Sequence, residues 1–237
     1  MTVINAAEVM EALFEDKFHP LYQTVSAWVV GDRRFRAFAQ AYRGKIRRKL
    51  RSAAPDAAAL ADLKFELEIA RWLLQEARFE VEYEAYEARQ GGTDYTVAYR
   101  VNTRFNVEVR RIRALETGED RARKLVETLV DKSKQMPPNT LNVLTLADGG
   151  APGNELEAAG VLIRNLAERK VEAFFEARGY RNAADFLKQY RQMSAVAFLG
   201  GKRVLLWHNP LAKAKLPKDL ALALGRLPPL SNPAAGG

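Results

Sequence analysis

The sequence contains no cysteine. That one absence removes disulfides, thiolate zinc sites, iron–sulfur clusters and cysteine nucleophiles together. Histidine is nearly missing as well: His19 and His208 are the only two, too few and too far apart for a His-rich catalytic zinc site. None of the five serines lies in a G-x-S-x-G context, which argues against an α/β-hydrolase. Neither G-x-x-x-x-G-K-[ST] nor G-x-G-x-x-G occurs, so no glycine-rich loop is available to cradle a phosphate. No apolar run approaches the ~20 residues of a membrane-spanning helix. The first residues carry Glu8, Glu11, Glu15 and Asp16 in place of the basic-then-apolar pattern of a signal peptide. These absences predict a cytoplasmic protein with no membrane partner.

What remains is a globular composition. Of 237 residues, 48% are hydrophobic and 28% charged, enough apolar surface to build a core without disulfides or a structural metal. Lys and Arg number 37 against 29 Asp and Glu, a net charge of +8. An excess of that size favours polyanionic partners such as nucleic acid. The sequence predicts three parts: a basic helical extension over residues 1–55, an α/β core over 56–210, and a C-terminal helix with a Pro/Gly-rich, disordered tail over 211–237.

Periodicity supplies the elements. Residues 5–16 read as a short amphipathic helix ended by His19-Pro20. Residues 21–51 are helical again, interrupted near Gly31-Asp32. Over residues 31–51 nine Lys or Arg stand against Asp32 alone, while Phe35, Phe38, Tyr42, Ile46 and Leu50 recur at helical spacing. Arg43, Lys45, Arg47, Arg48 and Lys49 form the basic face, a candidate phosphate-backbone contact or else an ordinary solvated face. Asp56 caps a helix over 57–77. The period then changes to two: 79–84, 94–101 and 104–112 alternate as three strands joined by short turns, an antiparallel meander. A helix over 116–136 and the continuous apolar strand 141–146 follow; a helical crossover makes that strand parallel to a neighbour. Helices over 154–178 and 183–192 and strands at 194–199 and 203–207 complete the core. Trp72 and Trp207 read as core or rim aromatics rather than base-stacking platforms, and His208 as a turn residue or, less simply, a base.

Three acids fall at suggestive places in this order. Glu66 lies four residues before Ala70 and seven before Leu73, on their helical face. Asp94 follows Gly91-Gly92-Thr93 at the mouth of the second strand. Glu108 sits mid-strand in Asn106-Val107-Glu108-Val109-Arg110, where alternation puts Glu108 and Arg110 on the face opposite Val107 and Val109. Carboxylates on adjacent strands make an all-oxygen pocket suited to Mg²⁺ or Mn²⁺.

The stretch 57–147 thus resembles the PD-(D/E)XK nuclease superfamily, the restriction-endonuclease-like fold with an α-β-β-β-α-β core and a mixed sheet flanked by helices. Thr93-Asp94 stands in place of the P-D, and Glu108-Val109-Arg110 in place of E-x-K. The resemblance implies metal-dependent phosphodiester hydrolysis of DNA or RNA. Asp94 and Glu108 would be the metal ligands, Glu66 an auxiliary acid, and Arg110 would take the lysine position. Arginine can clamp a phosphate but cannot deprotonate water, so Lys132 and Gln135 on the following helix are candidates for the missing amine and a polar contact. Arg111 and Arg113, with Arg100, Arg104, Arg110, Arg121 and Arg123, would give the site a cationic rim, unless Glu116, Glu119 and Asp120 neutralise it. Two alternatives stay open: an inactive nuclease-fold protein that binds nucleic acid through its basic surfaces, and a non-enzymatic interaction protein, either of them compatible with a homodimer.

Overall fold

The computed structural model describes residues 4–85, 92–112, 118–147, 154–199 and 204–230. They form an α/β protein whose chain divides into two compact units, Met1–Ala77 and Arg78–Gly237. The basic helices and the helix before the first strand belong to the first unit, and every strand to the second.

The first unit holds α1 (Ala6–Leu13), α2 (Tyr22–Gly31), α3 (Arg33–Ala41), α4 (Arg43–Ala53) and α5 (Ala57–Leu73). Asparagine and aspartate set its starts: Asn5, Asp32 and Asp56 each accept a backbone N–H from the first turn of α1, α3 and α5, satisfying donors that a helix leaves without partners. The continuous basic helix expected after Gly31-Asp32 is two helices, because Tyr42 leaves helical geometry at φ −107°, ψ 18°. Phe35, Phe38, Ile46 and Leu50 remain buried across that break. Helix α5 buries Leu60, Leu63, Phe65, Leu67, Ile69, Ala70, Trp72 and Leu73, more than one stripe, so it is enclosed rather than half-exposed.

The second unit is built on a six-stranded mixed open sheet, β1 (Phe79–Tyr83), β2 (Tyr95–Tyr99), β3 (Thr103–Arg111), β4 (Leu141–Ala147), β5 (Ala195–Phe198) and β6 (Leu205–His208), in spatial order β1-β2-β3-β4-β5-β6. Strands β1, β2 and β3 are the expected antiparallel meander. Strands β3, β4 and β5 are mutually parallel, since α6 (Gly118–Ser133) and then α7 (Glu155–Glu168), α8 (Glu172–Glu176) and α9 (Ala183–Tyr190) carry the chain back between them. Strand β6 returns antiparallel to β5, and α10 (Lys218–Arg226) follows. The single helix expected over 154–178 is α7 and α8, separated at Lys170, whose φ of 52° is left-handed. The tail expected to be disordered, residues 231–237, lies outside the described residues.

Strand alternation gives the sheet two unlike faces. One carries Phe79, Tyr83, Tyr95, Tyr99 and Phe105, all at most 1% exposed, with Phe79 edge-on to Tyr99 and Phe105 and Tyr83 stacked on Tyr95. The other is divided. Toward β4 and β5 it is apolar, and Leu144, Leu146, Val196 and Phe198 join Leu125, Leu129 and Val130 of α6 and Phe186 of α9 in one core cluster. Toward β1 and β2 it is polar, carrying Glu82, Thr96 and Asn106 in register, with Glu108 two residues further along β3.

Candidate active site

The boundary between the apolar and polar halves of that second face is where the acids collect. Glu108 of β3 is 3% exposed, a depth at which a carboxylate requires a partner. Helix α6 supplies it: Lys132 Nζ donates to Glu108 Oε1 at 2.6 Å and to Gln135 Oε1 at 2.7 Å. Gln135, expected on the same helix, lies in the turn just past the end of α6, where its N–H closes on the Lys132 carbonyl at 3.0 Å, so it fixes the direction from which the amine approaches Glu108. Charge-assisted hydrogen bonds of this length are the strong kind.

Asp94 stands at the mouth of β2. Tyr95 pairs with Val107, and one antiparallel step further sets Asp94 opposite Glu108, where same-face neighbours have Cβ atoms roughly 5 Å apart. Asp94 Oδ2 accepts the N–H of Val109 at 2.8 Å, and its backbone oxygen accepts the N–H of Glu84 at 2.8 Å. Its side chain therefore prolongs the β2–β3 ladder past the last backbone pair and is pinned beside Glu108.

The remaining candidates fall elsewhere. Arg110, in the position expected for the lysine, is exposed, and the cation against Glu108 is Lys132. Arg111 is half-buried, and Arg113 lies outside the described residues. Arg100 pairs with Asp219 at 2.9 Å and Arg104 with Glu82 at 2.8 Å. Arg123 pairs with Glu127 at 3.4 Å, and Arg121 lies over the Phe198 ring, 5.8 Å from its centroid. Those four side chains thus serve different local contacts. Of the acids expected to oppose them, Glu116 lies outside the described residues.

In the first unit, Glu66 accepts from Lys49 Nζ at 2.6 Å. Glu15 takes Arg47 at 2.8 Å and also Arg51. Arg43 turns back to the carbonyl of Gln40, Lys45 is half-buried and Arg48 exposed. The basic face of α4 is thus partly neutralised by its own unit. Glu68, 14% exposed, has its carboxyl pushed above the usual range by burial, against the pull of Lys64 and Arg71.

The sequence gives little warning of a buried polar row beside the acids. Thr96 Oγ1 donates to Asn106 Oδ1, and Asn106 Nδ2 to Thr140 Oγ1 and Asn142 Oδ1, each at 3.0 Å. Asn142 Nδ2 continues to the carbonyls of Pro137 and Gln192 at 2.9 and 2.8 Å. Its only trace in the sequence is Asn142 interrupting an apolar strand. Beyond β6, Asn209, 2% exposed, donates to the carbonyls of Tyr190 and Met193 and accepts from Leu211 N–H. It ties the chain after β6 to the end of α9, while His208 is exposed.

Among the described residues no group of three or more His, Cys, Asp or Glu could hold a metal unaided. Two carboxylates on neighbouring strands, Asp94 and Glu108, are what the described residues offer here. That donor set suits Mg²⁺, which commonly takes one or two carboxylates and completes its octahedron with water and phosphate oxygens. Among the described residues no helix is long and apolar enough to cross a membrane.

No protein-family model matches this chain, and neither a search of curated proteins nor one of solved structures returns a match.

Proposed function

We propose that the protein is a divalent-metal-dependent phosphodiesterase acting on nucleic acid, a degenerate relative of the PD-(D/E)XK nucleases in which the lysine has moved from the third strand to α6. The carrying observation is Lys132 Nζ at 2.6 Å from Glu108 Oε1, on the strand face where Asp94 stands opposite. The order α5-β1-β2-β3-α6-β4, with β4 parallel to β3, supports the same assignment, since it is the element order that the family uses.

Asp94 and Glu108 would hold Mg²⁺ or Mn²⁺, which supplies Lewis acidity toward phosphate and bound water. Lys132 brings a positive charge beside the carboxylates and can donate through Nζ to an attacking water or a phosphoryl oxygen. Gln135 is a positioning residue that keeps the amine aimed. Arg110, exposed on the same strand, can reach a flanking phosphate bidentately. The inactive nucleic-acid-binding alternative draws on the same ion pair, because a lysine seated on Glu108 competes with a metal for that carboxylate.

The test is cleavage of single- and double-stranded DNA and RNA in Mg²⁺ or Mn²⁺. Asp94→Asn, Glu108→Gln and Lys132→Met should each lose roughly 10²–10⁴-fold in rate, and Gln135→Ala roughly 10–100-fold. Wild-type protein that binds nucleic acid but cleaves none of these substrates would put the inactive alternative in its place.

A further inference from the structure

A cavity of about 340 Å³ opens on the polar half of the sheet, lined by Glu82, Ala85, Thr96, Arg104, Asn106 and Thr140. Its floor is Thr96 and Asn106 with Thr140 beside them, on the row in which Glu82, Thr96, Asn106 and Asn142 stand in straight register across four strands. Thr96 and Asn106 are 3% and 2% exposed. The floor side chains are committed to one another by the hydrogen bonds described above, so the surface is pre-organised. Its rim is different. Glu82 and Arg104 keep 47% and 62% of their side chains exposed while paired at 2.8 Å. A pair that open adds little to stability, yet it presents a carboxylate acceptor and a guanidinium donor fork side by side. Along β3, Asn106 lies two residues before Glu108, about 7 Å, on the same face. Along β2, Thr96 lies two residues after Asp94.

We infer that this cavity is the seat of a nucleobase next to the scissile phosphate, and that Glu82 and Arg104 select guanine. This rests on the phosphodiesterase assignment for the position of the phosphate, though not for binding of the base. Guanine alone among the bases offers N–H donors at N1 and N2 to a carboxylate together with O6 and N7 acceptors to a guanidinium, the latter being arginine's preferred base contact. Adenine and cytosine present an amino donor without the neighbouring N1–H donor, and thymine lacks the amino group. The volume is at the low end of ligand cavities, ~300–1,000 Å³, which holds one nucleotide and not a base pair. Reading the N1 edge also requires an unpaired base. The substrate is therefore single-stranded at this position.

The test is binding without metal, so it is independent of cleavage. Fluorescence anisotropy would compare short oligothymidylates carrying one central dG, dA or dC, together with the corresponding ribo-oligomers. In at least one series the guanine oligomer should bind about tenfold more tightly. Glu82→Gln and Arg104→Ala should each abolish that preference, so that the variant binds the guanine oligomer no more tightly than plain oligothymidylate, and both should keep the wild-type melting temperature because the side chains are exposed. Equal affinity for all bases in both series would overturn the assignment, as would a guanine preference that survives in Glu82→Gln. Cleavage with no guanine preference would sink this inference and leave the phosphodiesterase standing. Guanine preference with no cleavage would do the reverse.

Discussion

Lys132 and Glu108 have side chains 18% and 4% exposed, so neither charge is well served by water. Removing one partner from such a pair is costly, because the other charge remains buried. Lys132→Met should lower unfolding free energy by about 3 kcal/mol, read by urea denaturation, whereas Lys132→Met with Glu108→Gln should recover much of that loss. Glu68 behaves in the opposite sense. Burial raises its carboxyl above the ordinary 4.5, so the folded state resists its ionisation. Folding stability is then lost as pH rises from the ordinary carboxylate range through the raised value. Glu68→Gln should melt at higher temperature than wild type at pH 7, and its advantage should disappear as pH falls below about 4.5. Thermal melts from pH 4 to 8 would show no such convergence if Glu68 were not perturbed.

At the scale of elements, glycines separate ordinary helix surface from close packing. A Cβ at Gly160, inside α7, would sit 2.8 Å from Trp207 Cζ2, and the Trp207 indole is held by Glu157 through Nε1 at 2.8 Å. At Gly44, in the first turn of α4, nothing lies within 4 Å. Gly44→Ala should stabilise by a few tenths to about 1 kcal/mol, and Gly160→Ala should destabilise by about 1 kcal/mol, overpacking exceeding the propensity gain. Differential scanning calorimetry of the two variants tests the contrast. Periodicity made most elements legible beforehand: the switch from period 3.6 to period 2 at Phe79 and back after Ile112 places β1–β3, and the apolar 141–146 marks β4. It missed the breaks at Tyr42 and Lys170, where a single residue's backbone angles end a helix while the apolar spacing runs on. It placed Asp94 and Glu108 on neighbouring strands because strand alternation is local. The Thr96–Asn106–Asn142 row was invisible because those neighbours are joined only by register between strands.

Over the whole molecule, charge is unevenly shared. Residues 1–77 carry 12 Lys and Arg against 10 Asp and Glu, a net +2, and residues 78–237 carry 25 against 19, a net +6. The conspicuous run of cations in 31–51 is thus nearly balanced within its own unit, with Glu15 and Glu66 taking Arg47, Arg51 and Lys49. If nucleic acid runs along α4, exposed Arg48 should carry more of the contact than these paired neighbours. Arg48→Ala should reduce the slope of log affinity against log salt by about one, and Arg47→Ala by less, measured by titration at several salt concentrations.

Each of the six strands lies beside its predecessor in the chain, so no strand has to be inserted between two that already pair. The β2–β3 and β5–β6 closures are short, those of β3–β4 and β4–β5 span helical crossovers, and the entropy of each is recovered one strand at a time. The sheet can grow by accretion from the β2–β3 hairpin outward, and the Asp94–Val109 hydrogen bond that anchors the candidate site becomes available at that first step.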